Sequence, residues 1–274
     1  MVQPPAGAVP AYLSYLTAPA IEPSPRWVRV QFGGQFIADS KRALLLRQYG
    51  PGRLPTYYFP QDDVRMDFLE AQAAEPPDDL MTYWTVRVGE RVAARAAWAP
   101  RDPAPAVAAL AGHLTFTWAA MDAWYEEEQQ VFVHARDPYK RVDVLESSRH
   151  VRVVVGNTLV AETRRPSLLF ETGLPVRYYI PAADVRADLL EPSSLTTRCP
   201  YKGIASYWSV KVGDRRLTDL VWSYPDPILE CPRIKGLLCF FNERVDLYVD
   251  GELQERPHTP WSRTSADRAG EATS

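Results

Sequence analysis

The chain repeats itself. Val28-Arg29-Val30-Gln31-Phe32-Gly33 lies over Val151-Arg152-Val153-Val154-Val155-Gly156 at an offset of 123 residues. Tyr57-Tyr58-Phe59-Pro60, followed by Asp63-Val64-Arg65 and Asp67, lies over Tyr178-Tyr179-Ile180-Pro181, followed by Asp184-Val185-Arg186 and Asp188. Tyr83-Trp84-Thr85-Val86-Arg87-Val88-Gly89 matches Tyr207-Trp208-Ser209-Val210-Lys211-Val212-Gly213. Farther on, Trp98 meets Trp222, Pro103 meets Pro227, Gly112 meets Gly236, Phe116 meets Phe240 and Asp122 meets Asp246. The order is colinear and the offset drifts only between 121 and 124. Solenoid units repeat every roughly 20–50 residues, so a period this long makes each copy a complete domain with its own core.

The first copy spans 26–128 and the second 149–258. Between them, residues 129–148 form a linker with a turn at Asp137-Pro138 and a short extended piece at Val142-Asp143-Val144. It has little Gly or Ser, so it is expected to pack on a domain rather than swing. Residues 1–25 are rich in proline and residues 259–274 are small and polar; both ends are expected to be mobile. Two like domains can pack about a pseudo-twofold, so the expected assembly is an internal pseudo-dimer in a monomeric chain.

Within a copy the signal is mostly strand. Arg29-Val30-Gln31-Phe32 alternates polar and apolar residues, then Gly33-Gly34 turns the chain into Gln35-Phe36-Ile37-Ala38. Val151 to Ala161 repeats that hairpin around Gly156-Asn157. Leu44-Leu45-Leu46, Leu168-Leu169-Phe170 and Thr56 to Phe59 read as buried strands. The clearest hairpins turn at Gly89-Glu90 and Gly213-Asp214. A helical turn is expected at Ala104 to Leu110, closed by Gly112, and a second short helix at Asp63 to Glu70 with Asp62 or Asp63 as its N-cap. The fold class is therefore mainly β: two tandem, duplicated, small β-rich domains with minor helix.

Composition narrows the function. Hydrophobic residues make up 46% and charged residues 24%, which are globular values. Lys and Arg number 31 against 34 Asp and Glu, a formal charge of −3 that disfavours a general electrostatic hold on nucleic acid. No apolar run reaches the roughly 18–20 residues that span a bilayer, so no membrane partner is expected. The N-terminus lacks the basic and continuous apolar regions of a secretory signal. Cys199, Cys231 and Cys239 are too few for a disulfide framework and fit reduced thiols, hence a cytoplasmic protein.

Several of these stretches together carry a resemblance. They are the Gly-rich hairpin leading to Ala38-Asp39-Ser40-Lys41-Arg42, the Tyr-Tyr-x-Pro-x-x-Asp-Val-Arg stretch, and Thr197-Arg198-Cys199-Pro200-Tyr201-Lys202-Gly203 running into Tyr207-Trp208. From about Arg26 to Glu255 the chain resembles the bacterial family described as domain of unknown function four-two-seven, in its two-domain form. The resemblance implies a compact β fold of the tent-like kind, similar to the Mss4-like group. Zinc-holding relatives of that fold use cysteines absent here, so a zinc-free version without cofactor is expected. A nucleotidyltransferase label is sometimes given to the family. Such chemistry needs closely spaced carboxylates for a divalent metal. Here there is no Asp-x-Asp; Asp63 and Asp67, like Asp184 and Asp188, are four apart and would share a face only if their segment is helical.

Other candidates for chemistry each carry a bland alternative. The Cys199-to-Gly203 turn sets a thiol and an ammonium three residues apart. Lys202 would promote a Cys199 thiolate, a weak catalytic candidate, or meet an anionic ligand; alternatively the turn only closes a hairpin. The corresponding stretch of the first copy, residues 73–81, lacks Cys, Lys and Gly, so any such site exists once per chain. Arg42 and Arg165 end a strand in each copy and suit a carboxylate or phosphate, or else an ion pair with Asp39, Glu162 or the Asp-Val-Arg segment. Tyr58, Tyr179, Tyr207 and Trp208 would line a pocket or pack in the core, with adjacent aromatics on opposite strand faces. His113, His134, His150 and His258 are scattered and suggest no metal site; Glu126-Glu127-Glu128 reads as a solvated face.

The leading expectation is a protein that binds a small, anionic molecule in the second repeat or between the repeats. The alternatives are a non-catalytic interaction module and nucleotidyltransferase-like phosphate chemistry. The sequence assigns no reaction.

Overall fold

Val28, Val30 and Phe32 fall on one side of an alternating strand, and all three are buried. In the computed structural model, which describes residues 18–50, 53–72 and 80–262, that alternation organises two compact units divided at Pro138/Tyr139. The first unit holds β1 (Ala20–Pro23), β2 (Val28–Phe32), β3 (Gln35–Ser40), β4 (Leu44–Arg47), β5 (Thr56–Pro60), β6 (Leu69–Ala71), β7 (Met81–Val88), β8 (Arg91–Pro100), β9 (His113–Phe116), β10 (Ala123–Glu126) and β11 (Gln129–Val131). The second holds β12 (Val142–Glu146), β13 (Val151–Val155), β14 (Thr158–Thr163), β15 (Ser167–Glu171), β16 (Arg177–Ile180), β17 (Leu190–Cys199), β18 (Gly203–Val212), β19 (Arg215–Ser223), β20 (Leu238–Phe240), β21 (Asp246–Val249) and β22 (Glu252–Leu253).

The two units have one topology. A seven-stranded sheet runs β1-β4-β5-β9-β8-β7-β6 in the first and β12-β15-β16-β20-β19-β18-β17 in the second. A four-stranded sheet runs β11-β10-β2-β3 in the first; the second orders its counterparts as β22-β21-β13-β14. The main core of each unit draws side chains from both its sheets: Val30, Ile37, Phe59 and Phe116 in the first, Val153, Val160, Ile180 and Phe240 in the second. Burying each such side chain is worth about 1.5–3 kcal/mol. A smaller core lies on the other face of the seven-stranded sheet, around Tyr58 and Leu46 in the first unit and around Tyr179, Leu169 and Trp222 in the second.

The turns follow their residues. Gly33-Gly34 and Gly156-Asn157 both take left-handed φ at each position, the geometry of a two-residue hairpin whose twist matches its strands. A Cβ on Gly33 would lie 2.8 Å from the Val88 Cβ, so that glycine also answers a close approach of two hairpins. A bulge after Trp84 in β7 recurs after Trp208 in β18. Opposite it, Arg95 in β8 and Asp219 in β19 adopt φ of 51° and 50°.

Several expectations need correction. Ala20–Pro23, read as part of a mobile segment, is an edge strand paired with β4; residues 1–17 lie outside the described residues. The linker holds two strands: β11 pairs with β10, and β12 pairs with β15 as the counterpart of β1. Thr259, placed in the tail, is buried and donates its hydroxyl to Glu243 at 2.6 Å; residues 263–274 lie outside the described residues. Asp63 to Glu70 is not one helix but 3-10 turns at Gln61–Asp63 and Met66–Phe68, then β6, with Pro60 as the first N-cap. The expected helical turn is a 3-10 segment, Pro105–Leu110, followed by left-handed Gly112. Strand register also shifts one match: Gln31 lies opposite Ala123 and its counterpart Val154 opposite Asp246, so Asp122 and Asp246 are one residue out of step. No described helix is long and apolar enough to cross a membrane.

Candidate functional site

At the end of β14, Thr163 turns inward and donates its hydroxyl to Asp184 at 2.7 Å, while its oxygen accepts the Arg165 backbone N–H at 3.1 Å. Asp184 also accepts Nε and Nη2 of Arg165, both at 3.2 Å. The first unit repeats this with Ser40, Arg42 and Asp63: the Ser40 hydroxyl lies 2.6 Å and the Arg42 Nη2 2.5 Å from the carboxylate. Arg42 and Arg165 thus take the ion-pair alternative, with the Asp-Val-Arg segment as partner. Hydrogen bonds from Arg165 and Thr163 hold the Asp184 carboxyl below its ordinary range. Asp67 and Asp188 are held by Arg65 and Arg186, so in neither copy do the paired aspartates share a helical face.

What differs between the copies lies beside this motif. In the second unit an open depression of about 380 Å³ is lined by His150, Glu162, Thr163, Arg164, Arg165 and Asp184. His150 Nε2 is 2.6 Å from a Glu162 oxygen. Arg164 is exposed, and among the described residues no ion pair engages its guanidinium. In the first unit the counterpart of His150 is Trp27, whose indole N–H donates to Asp39 at 2.6 Å. Lys41, the counterpart of Arg164, lies over the Trp27 ring at 5.1 Å.

The Cys199-to-Gly203 turn joins β17 to β18, and its lysine is engaged internally. Lys202 Nζ forms a buried ion pair with Glu171, whose other oxygen is 3.2 Å from Lys140. Burial alone would lower the Lys202 pKa; the Glu171 charge, helped by Cys199 and Tyr179, outweighs it, and the net shift is upward. Lys202 therefore stays an ammonium. The turn is backed by the loop after β19, where the Ile228 N–H donates to the Lys202 carbonyl at 3.1 Å. Cys199 is half-buried, while Cys231 and Cys239 are buried. Burial pushes the Cys231 thiol up to about 11 and the Cys239 thiol higher still. The first-copy counterpart, residues 73–79, lies outside the described residues.

The expected site residues are therefore divided. Cys199, Lys202, Tyr179 and Tyr207 meet in the smaller core of the second unit, where Trp222 donates its indole N–H to Tyr179 at 3.1 Å and Tyr207 shares a 2.8 Å hydrogen bond with Thr197. Trp208 packs on the opposite face, against the main core, as strand alternation requires. Tyr58 is buried edge-on to Trp98 in the first unit. Only Arg165 reaches the depression. Sequence reasoning missed His150 and Arg164 as site residues, and it missed Glu171 and Lys140 as partners of Lys202. A signal existed for the first pair: His150 and Arg164 occupy the register of Trp27 and Lys41, where the copies differ.

Glu126 is a further correction. It is not on a solvated face but 3% exposed, accepting Tyr57 Oη at 2.9 Å, Arg26 Nη1 at 2.7 Å and Arg136 Nε at 3.0 Å. Among the described residues no group of three His, Cys, Asp or Glu is gathered to hold a metal ion.

Fold and site define a tandem pair of small antiparallel β domains with one shared framework and unequal surface chemistry. The model of the family described as domain of unknown function DUF427 matches residues 20–127 and again 143–251, and the chain belongs to that family. Both matches begin at the edge strands β1 and β12. No curated relative matches the chain.

Proposed function

We propose that this protein binds a small anionic molecule at the depression of its second repeat. The observation that carries this reading is the unengaged Arg164 guanidinium beside Arg165 and His150, in a hollow whose first-repeat counterpart holds Trp27 and Lys41. A guanidinium presents five donors in a planar fork suited to carboxylate or phosphate, and here it is exposed with no partner among the described residues. A bacterial, cytoplasmic setting belongs to the same reading; three free cysteines support its cytoplasmic part. A thermal-shift screen with inorganic phosphate, sugar phosphates and carboxylic acids tests it. A ligand at about 100 times its dissociation constant adds roughly 2.7 kcal/mol of stability. That gain should vanish in Arg164→Ala; a gain that survives in Arg164→Ala places binding elsewhere.

A second reading, a non-catalytic interaction module, is favoured by Leu145 and Phe170. They are 53% and 39% exposed on one face of β12 and β15, where the first repeat has the Glu22–Arg47 ion pair. Phe170→Glu should then abolish capture of a protein partner and leave the small-molecule response intact. Phosphate chemistry at Asp184 and Asp188 is less favoured, because each carboxylate is already held by its own arginine.

A further inference from the structure

The lining of the depression is mixed in charge, and that mixture says more than a basic patch would. Glu162 and Arg164 flank the inward-turned Thr163 at the end of β14 and are both exposed. Both side chains line the same depression, Glu162 from the end of β14 and Arg164 from the bend that follows it. They do not pair with each other: one Glu162 oxygen is taken by His150, and no described residue engages Arg164. Among the described residues the second Glu162 oxygen has no donor. A simple anion on Arg164 leaves the open Glu162 oxygen unmatched, and a simple cation on Glu162 leaves Arg164 unmatched. A small molecule carrying both charges one carbon apart satisfies both groups.

Resting on the reading of the depression as a ligand site, we infer that its ligand is a zwitterionic amino carboxylate. Its carboxylate lies on the Arg164 guanidinium and its ammonium on the second oxygen of Glu162. Asp184 takes no direct part, since Thr163 and Arg165 already occupy it. Arg165 and Thr163 position the strand end from which Arg164 projects.

The test is a titration of the full chain, followed by amide proton–nitrogen NMR, with L-alanine as probe and acetate, methylammonium and inorganic phosphate beside it. The expected result is a dissociation constant for L-alanine at least tenfold lower than for acetate or methylammonium, with shifts centred on residues 162–165. Arg164→Ala and Glu162→Gln should each raise it at least tenfold while the rest of the spectrum stays in place. If acetate or phosphate binds as tightly as L-alanine and Glu162→Gln does not weaken it, the zwitterion assignment fails and the anion site stands. Methylammonium binding as tightly as L-alanine overturns the assignment and the anionic reading with it. If no probe shifts these residues, both fail.

Discussion

Tyr57 donates its hydroxyl to Glu126 at 2.9 Å across 69 residues of chain, joining β5 of one sheet to β10 of the other inside the first repeat. Burial and the Glu126 charge raise the Tyr57 pKa well above its ordinary value, so the phenol remains a donor throughout the working pH range. Glu126 is the anion on which two arginines also depend.

Glu126→Ala should therefore destabilise the first repeat strongly. Removing one member of a buried ion pair costs about 3–5 kcal/mol. Arg26 is 34% exposed and regains some hydration, so the lower end, about 3 kcal/mol, is expected. Urea unfolding measures it; a loss below about 1 kcal/mol would mean the network contributes little.

Gly33→Ala and Gly156→Ala separate backbone strain from steric conflict. Both positions are left-handed, at φ of 58° and 52°, which costs a non-glycine residue about 1–2 kcal/mol. Only Gly33 faces a side chain closely, with Val88 Cβ at 2.8 Å; at Gly156 the nearest atom, Arg215 Nη1, is 3.9 Å away. Overpacking adds about 1–3 kcal/mol at Gly33 alone. Val88→Ala, which keeps the Cβ but removes the Cγ1 that would lie at 2.9 Å, should recover part of that loss. Equal thermal shifts for the two glycine variants would remove the steric claim.

Acid should loosen the second repeat through Glu171. Burial raises its pKa, but the Lys202 and Lys140 charges outweigh this and hold it below its ordinary 4.5. The lowered value means this contribution is complete above about pH 4.5 and is lost as pH falls through the folded pKa. In melting curves from pH 7 down to roughly pH 3, Glu171→Gln should be less stable at neutrality and flatter in acid than the parent. Parallel curves would exclude Glu171 as a source of the acid dependence.

The three thiols should react in order of burial. Cys199 is half-buried, whereas Cys231 and Cys239 are buried with raised pKa values. Alkylation of the folded protein near neutral pH should modify Cys199 first and leave Cys239 unmodified until unfolding, as read by peptide mass. Early labelling of Cys239 would contradict its place between β16 and β19.

The duplication, the hairpins and the split of Tyr207 from Trp208 across a sheet were legible because period-two alternation and glycine turns are local signals. The edge strands β1 and β12 were not: four or five residues beside a proline-rich segment or inside a linker carry too little pattern. The ion partners of Lys202 and Glu126 were also hidden. Glu171 is 31 residues from Lys202 and Arg26 is 100 from Glu126, and an ion pair between distant strands leaves no spacing to read. Arg165 was singled out for its charge at a strand end, whereas among the described residues it is its neighbour Arg164 that has no ion partner.

Arg95 and Asp219 share a left-handed backbone and nothing else. One side chain is a long cation over the Tyr83 ring and the other a short anion, yet both strands kink at the same rung. Backbone shape has thus outlasted side-chain identity within a single polypeptide. For protein engineering this makes the two halves donors of parts to each other: a hairpin exchanged between them should keep its bend, and new surface chemistry grafted onto one half starts from a scaffold already known to accept two different exteriors.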